Sequence, residues 1–105
     1  MIVEYIRYTI ADAKSQAFEA AYMQAREALD ASTHCLGYEL TRSMEEPTSY
    51  TLRIEWDSLA GHEQGFRGSD EFRRFLPHIR PFIGDIQEMR HYDVVFAGDA
   101  EGEAR

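Results

Sequence analysis

An α+β fold is what this sequence predicts: four antiparallel strands in the order β-α-β-β-α-β, with the helices on one face of the sheet. Three observations carry the prediction. Four segments alternate apolar and polar residues with a period of two. Between the first and second, and again between the third and fourth, the apolar period lengthens to that of a helix. The second and third are joined only by a short turn-forming stretch, "MEEPT".

The first alternating run is Ile2 to Ile10, with Ile2, Ile6, Tyr8 and Ile10 on one side and Arg7 and Thr9 on the other. Asp12 is placed to cap a helix running to about Ser32, in which Phe18, Tyr22, Ala25 and Leu29 recur at spacings of four, three and four. Cys35 to Ser43 and Ser49 to Asp57 form a hairpin around "MEEPT". Asp57 or Ser58 then caps a short helix through about Phe66, and Ser69 caps another, with Asp70 and Glu71 set favourably against its macrodipole. Phe72, Phe75, Leu76 and Ile79 form the buried stripe of that helix, and Pro77 removes one of its hydrogen bonds and should kink it. Asp85 to Phe96 reads as the last strand. Residues 1–97 thus make one ferredoxin-like domain, followed by an acidic, flexible tail over residues 98–105.

Taking the apolar parity as helix-facing puts Ile6, Tyr8, Leu36, Tyr38, Leu40, Tyr50, Leu52, Ile54 and Trp56 beneath the helices. The other face carries Arg7, Thr9, Glu39, Thr41, Arg53, Glu55 and Asp57 beside Val3 and Tyr5. Two states fit it: a solvated face, ordinary for an antiparallel sheet, or a face covered by a second sheet with charges paired across the junction.

Composition excludes several functions. The 105 residues carry a formal net charge of -8, the wrong sign for phosphate backbones or an anionic membrane surface, so neither nucleic acid nor membrane is an expected partner. No apolar run approaches the roughly 18 residues of a membrane span, and the N-terminus has no signal-peptide pattern. The single Cys35 cannot form an intramolecular disulfide. A cytoplasmic location is therefore expected. No metal site is expected, since no two histidines have a ligand spacing such as i, i+4 and no carboxylate cluster joins them. No Gly-rich phosphate loop follows a strand. Cys35 and His34, as neighbours on a strand, point to opposite faces and make a poor nucleophile–base pair.

One stretch concentrates chemistry: "IEWDSLAGHEQGFRGSDEFRRF" sets Trp56 at a strand end and His62 three residues after Leu59 and four before Phe66, inward on a helix and toward Trp56. A core histidine beside a large core aromatic is the plain reading, and a site is the sharper one. His78 lies on the flank of the last helix's stripe, His91 is on the final strand with its parity open, and His34 belongs to a loop and is expected to be exposed.

The strand order, "YTLRIEW" running into "DS", and the aromatic helix "SDEFRRF" ending near Pro81 resemble the antibiotic biosynthesis monooxygenase family of the dimeric α+β barrel superfamily, over nearly the whole chain. The resemblance implies a homodimer whose two sheets face each other, with a pocket in each subunit between sheet and helices. Members include oxygenases that hydroxylate hydroquinone-like aromatics with neither flavin nor metal, haem degraders, and proteins without known activity. The haem degraders pair a tryptophan at the position of Trp56 with an asparagine, where this chain has Ile6, and a haem-ligating histidine, where it has Leu76. His78 is about 200° round the helix from that position, so only the tryptophan matches. The cofactorless branch implies a monooxygenase acting on a small aromatic hydroquinone-like substrate with molecular oxygen and no cofactor. In it His62 is the catalytic base, Trp56 and Phe66 stack the ring, Tyr8, Tyr38 or Tyr50 donates a hydrogen bond, and His78 is a further candidate for the pocket wall. The same residues would equally line a non-catalytic dimeric module that binds a small aromatic ligand.

Overall fold

The computed structural model describes residues 1–98, so the tail expected over 98–105 lies, apart from Gly98, outside the described residues. Strands β1 (Ile2–Thr9), β2 (Cys35–Arg42), β3 (Ser49–Trp56) and β4 (Ile86–Asp93) form one antiparallel sheet in the order β2-β3-β1-β4. Helices α1 (Ser15–Ala31) and α2 (Asp70–Ile79) cover one face of it. This is the ferredoxin-like order predicted, with β1 and β3 central.

Local chemistry explains most element ends. Ser69 Oγ accepts the Phe72 N–H at 3.2 Å, the N-cap expected for α2. Pro77 stands inside α2, which continues two residues past it and tightens into a 3₁₀ turn over Arg80–Asp85. Ser58 Oγ accepts the Gly61 N–H at 2.8 Å and starts the segment after β3. Asp12 does not cap α1 with its side chain: residues Asp12–Lys14 form a 3₁₀ turn, and the Asp12 backbone carbonyl receives Ser15 Oγ at 2.9 Å. The hairpin turn closes on Ser43, whose N–H reaches Ser49 O at 2.9 Å while its Oγ accepts the Glu46 N–H at 2.9 Å.

The last strand stops at Asp93, opposite Ile2 at the start of β1 and short of the expected Phe96, with one backbone bond beyond it, from the Val94 N–H to Met1 O at 3.4 Å. Two bulges change which residues face the helices. In β2 the register shifts between Cys35 and Gly37, so Cys35 stands opposite Trp56 and Tyr38 opposite Ile54, a spacing of three. Leu36 is the extra residue and is 56 % exposed, not beneath the helices as simple alternation has it. In β4 the shift opposite Arg7 and Tyr8 sets Ile86 and Met89 on the same side in the same way.

Between sheet and helices lies an aromatic core. Tyr8, Phe18, Tyr22, Tyr50, Phe75 and Phe82 are buried and meet edge-on, with Phe18 touching four of the others at centroid distances of 4.8–5.2 Å. Each such ring contributes roughly 1.5–3 kcal/mol by burial. The other sheet face carries Tyr5 edge-on to Tyr92 and Arg53 paired with Glu55, all partly exposed.

Candidate functional site

Two concavities lie between the sheet and its helices. The larger, about 690 Å³, runs along α1 over β2 and β3 and includes Tyr38, Tyr50, Arg26 and Arg42. Its tyrosines are occupied: the Tyr50 hydroxyl donates to Glu19, and that of Tyr38 to Asp30. The smaller, about 240 Å³, lies under α2 and is walled by Trp56, Phe66, Phe72, Phe75, Ile79 and Ile86, with Glu4, Tyr8, His62 and Arg67 as its charged or titratable members. Trp56, His62, Phe66 and Tyr8 are therefore brought together as expected. Tyr38 and Tyr50 line the other groove, and His78, exposed on α2, lines neither. The α2 helix turns Phe75 and Ile79 inward, and His78 is one residue from the buried Ile79 and so off that stripe.

The segment carrying His62 is not the regular helix its spacing suggests. Residues Gly61–Phe66 form a wide π-type turn, closed by the Arg67 N–H to His62 O at 3.2 Å. The wider turn buries His62 and Phe66 but leaves Leu59 43 % exposed. It presses on the His34 ring, which is half-buried and bonded through Nδ1 to Asp57 Oδ2 at 2.9 Å, and not free in solvent as expected of a loop residue. A Cβ on Gly65 would lie 2.5 Å from His34 Nε2, and one on Gly61 1.9 Å from Asp57 Oδ1, so only glycines allow this approach.

The His62 imidazole stacks on the Trp56 indole, centroids 4.5 Å apart and planes at 17°. Its Nδ1 shares a hydrogen bond of 2.7 Å with His91 Nε2, and its Nε2 lies 3.5 Å from Glu4 Oε1. Glu4 is the residue that the sequence reading passed over. It sits on β1 between Ile2 and Ile6, on the inward parity, where a carboxylate is unusual, and its exposure is 1 %. Trp56 Nε1 donates to Glu4 Oε1 at 3.0 Å. His91 faces Glu4 across the β1–β4 pairing, which settles its parity. An apolar strand side interrupted by one acid was the available signal for Glu4. The meeting of Glu4, His62 and His91 had none, because they come from β1, the wide turn and β4, and a search for local ligand spacings misses such a set.

Burial governs the electrostatics. It pushes the Glu4 carboxyl above its ordinary 4.5, with the Trp56 hydrogen bond pulling the other way. It lowers His62 from 6.5 to about 4, helped by the charges of Arg67 and His91. Mutual attraction at 3.5 Å would favour both charged forms, but desolvation outweighs it, so His62 is a neutral imidazole near pH 7. Tyr8 is pushed up to about 12 by burial and bonds to Tyr22, and the Cys35 thiol is pushed up to about 11, which leaves it no thiolate for catalysis.

The family model of the antibiotic biosynthesis monooxygenases matches residues 1–77. The chain belongs to that family. An uncharacterized Bacillus subtilis (strain 168) protein, YczJ, is 30 % identical over 95 residues, covering 90 % of this chain and 100 % of its own. A Bordetella bronchiseptica structure assigned to antibiotic biosynthesis monooxygenases is 28 % identical with a TM-score of 0.73, over 90 % of this chain and 97 % of that one. SnoaB, a cofactor-independent oxygenase from Streptomyces nogalater, shares the fold at a TM-score of 0.75 and 15 % identity, over 91 % and 94 % of the two chains. Among the described residues of this family member, no helix is long and apolar enough to cross a membrane.

Proposed function

We propose that this chain is a cofactor-independent monooxygenase that hydroxylates a small hydroquinone-like aromatic with molecular oxygen, His62 serving as the base. The observation that carries the reading is the placing of a buried, neutral imidazole between Trp56 and Glu4 at the wall of an otherwise apolar cavity. Family membership supports the same chemistry. A cavity of about 150 Å³ already holds benzene. At about 240 Å³ this one suits a single substituted ring.

The reaction follows from what those groups do. His62 takes a phenolic proton, and the imidazolium so formed is held by the Glu4 carboxylate and His91. The phenolate passes one electron to oxygen, and superoxide and the phenoxyl radical combine at a ring carbon. The hydroperoxide then loses water as its O–O bond breaks, so hydroquinone and O₂ give hydroxyquinone and H₂O, with all four electrons that reduce the oxygen coming from the substrate. Arg67, at the cavity, supplies a fixed positive charge for the transient superoxide, while the apolar walls exclude water.

The sheet's far face supports a homodimer in this reading. Tyr5, Tyr92 and the Arg53–Glu55 pair are uncovered there, and beyond β4 Val95 and Phe96 are 89 % and 90 % exposed. A second sheet packed on this face would cover the rings and screen the ion pair from water.

One observation favours the alternative, a dimeric module that binds a small aromatic without turnover. The hydrogen bond to His91 already engages a His62 nitrogen. Oxygen uptake with a panel of single-ring quinols, in chelator, separates the two. The oxygenase reading expects turnover that falls about 10²-fold in His62→Ala. Ligand binding with no oxygen uptake by the parent protein would leave the binding module.

A further inference from the structure

We propose that Glu4, His62 and His91 form a binding site for one divalent transition-metal ion, of the zinc, cobalt or iron(II) kind, at the wall of the apolar cavity. The three side chains offer one donor atom each, all within 4.8 Å of one another. His62 Nδ1 and His91 Nε2 are 2.7 Å apart, His62 Nε2 and Glu4 Oε1 3.5 Å, and His91 Nε2 and Glu4 Oε2 4.0 Å. Metal bonds of about 2.0–2.1 Å hold tetrahedral donors about 3.3 Å apart and adjacent octahedral ones about 2.9 Å apart. Only one His62 nitrogen can ligate, so the set that counts is one donor per residue within 4.8 Å, and closure on an ion takes side-chain adjustments of up to about 1.5 Å.

The donor set selects the class of ion. Two imidazoles and one carboxylate suit zinc, cobalt and iron(II), whereas calcium and magnesium prefer oxygen ligands throughout. The supporting shell is also present. Trp56 Nε1 holds Glu4 Oε1, which orients the carboxylate, and among the described residues Glu4 Oε2 accepts no hydrogen bond although the side chain is only 2 % exposed. A dication would satisfy that buried oxygen. Of the charges facing the cluster, Arg67 opposes a cation and Glu63 favours it, so affinity on the order of micromolar is expected, short of that of a structural zinc site. Three protein ligands leave further coordination positions on the ion for water or for a ligand in the cavity.

This site does not depend on the oxygenase reading, because binding is measured without a substrate. Where both hold, they compete: a metal occupying His62 removes its lone pair, and zinc should inhibit quinol turnover. The test titrates chelator-stripped protein with Co²⁺, followed by its visible absorption, and with Zn²⁺, followed by calorimetry. The expected result is one ion per chain, a cobalt spectrum of low coordination number, and affinity at least tenfold weaker in Glu4→Gln and His91→Gln. His34→Gln, which alters the other histidine–carboxylate pair, should bind as the parent does. Cooperative melting in chelator verifies that the variants are folded, and the partly exposed His91 gives a second variant should Glu4→Gln not fold. Binding weaker than about 100 µM in the parent, or equal binding by folded Glu4→Gln and His91→Gln, would overturn the proposal.

Discussion

Trp56→Phe tests whether the buried carboxylate is held as its geometry implies. The indole is fully buried, and its Nε1 is the one hydrogen-bond donor to Glu4 among the described residues, at 3.0 Å. Removing the donor to a buried acceptor costs about 1–3 kcal/mol. The lost part of the His62 stacking adds about 0.5–1.5 kcal/mol. The total, roughly 3 kcal/mol, should lower the melting temperature by about 12 °C or more at this chain length. Glu4→Leu removes the other partner. The double variant replaces both polar groups with apolar ones and should recover much of the loss, because no buried group is then left without its partner. Urea unfolding of the four proteins at pH 7 and one protein concentration gives the coupling energy, expected at about 1–3 kcal/mol. Additivity within about 0.5 kcal/mol, or a Trp56→Phe cost below about 1 kcal/mol, would refute the idea that this bond holds the Glu4 carboxyl group in place.

Further expectations concern pH, backbone and assembly. His62 falls from 6.5 to about 4 on folding, so between those values the unfolded chain binds the extra proton and stability drops as pH falls, by up to about 3 kcal/mol. Glu4, raised above 4.5, has the opposite sign, its destabilising effect growing as pH rises through its folded value. Unfolding in chelator should therefore show a slope from pH 6.5 to 4 that His62→Gln abolishes or reverses, and an unchanged slope would contradict the burial argument. Gly68→Ala brings a Cβ to 2.7 Å from the Gln64 carbonyl oxygen and should cost about 1–3 kcal/mol, whereas Gly84→Ala meets nothing within 4 Å and should be neutral or slightly stabilising by thermal melting. Sedimentation at micromolar concentration should give a dimer of twice 12.1 kDa that Arg53→Glu weakens, and a monomer at every concentration would remove the barrel arrangement.

Sequence by itself determined the element order, the apolar helix-facing residues of β1 and β3, the cap at Ser69, Ser58 as one of two cap candidates after β3, and the neighbourhood of Trp56 and His62. Those are local properties: side-chain parity, a cap three residues from its donor and the reach of a short turn all act over a few residues of chain. Tertiary structure decided the rest. Bulges in β2 and β4 depend on pairing with a neighbouring strand, so alternation could not show that Leu36 turns out or that Ile86 and Met89 both turn in. The wide turn at Gly61–Phe66 follows from the closeness of His34 and Asp57, which the fold brings up from two different elements. The chemistry of the site depends most on this level. Glu4 reads as one acid on an apolar strand until β3 places Trp56 above it, β4 sets His91 opposite and the turn brings His62 alongside, with burial then shifting both Glu4 and His62 toward neutrality.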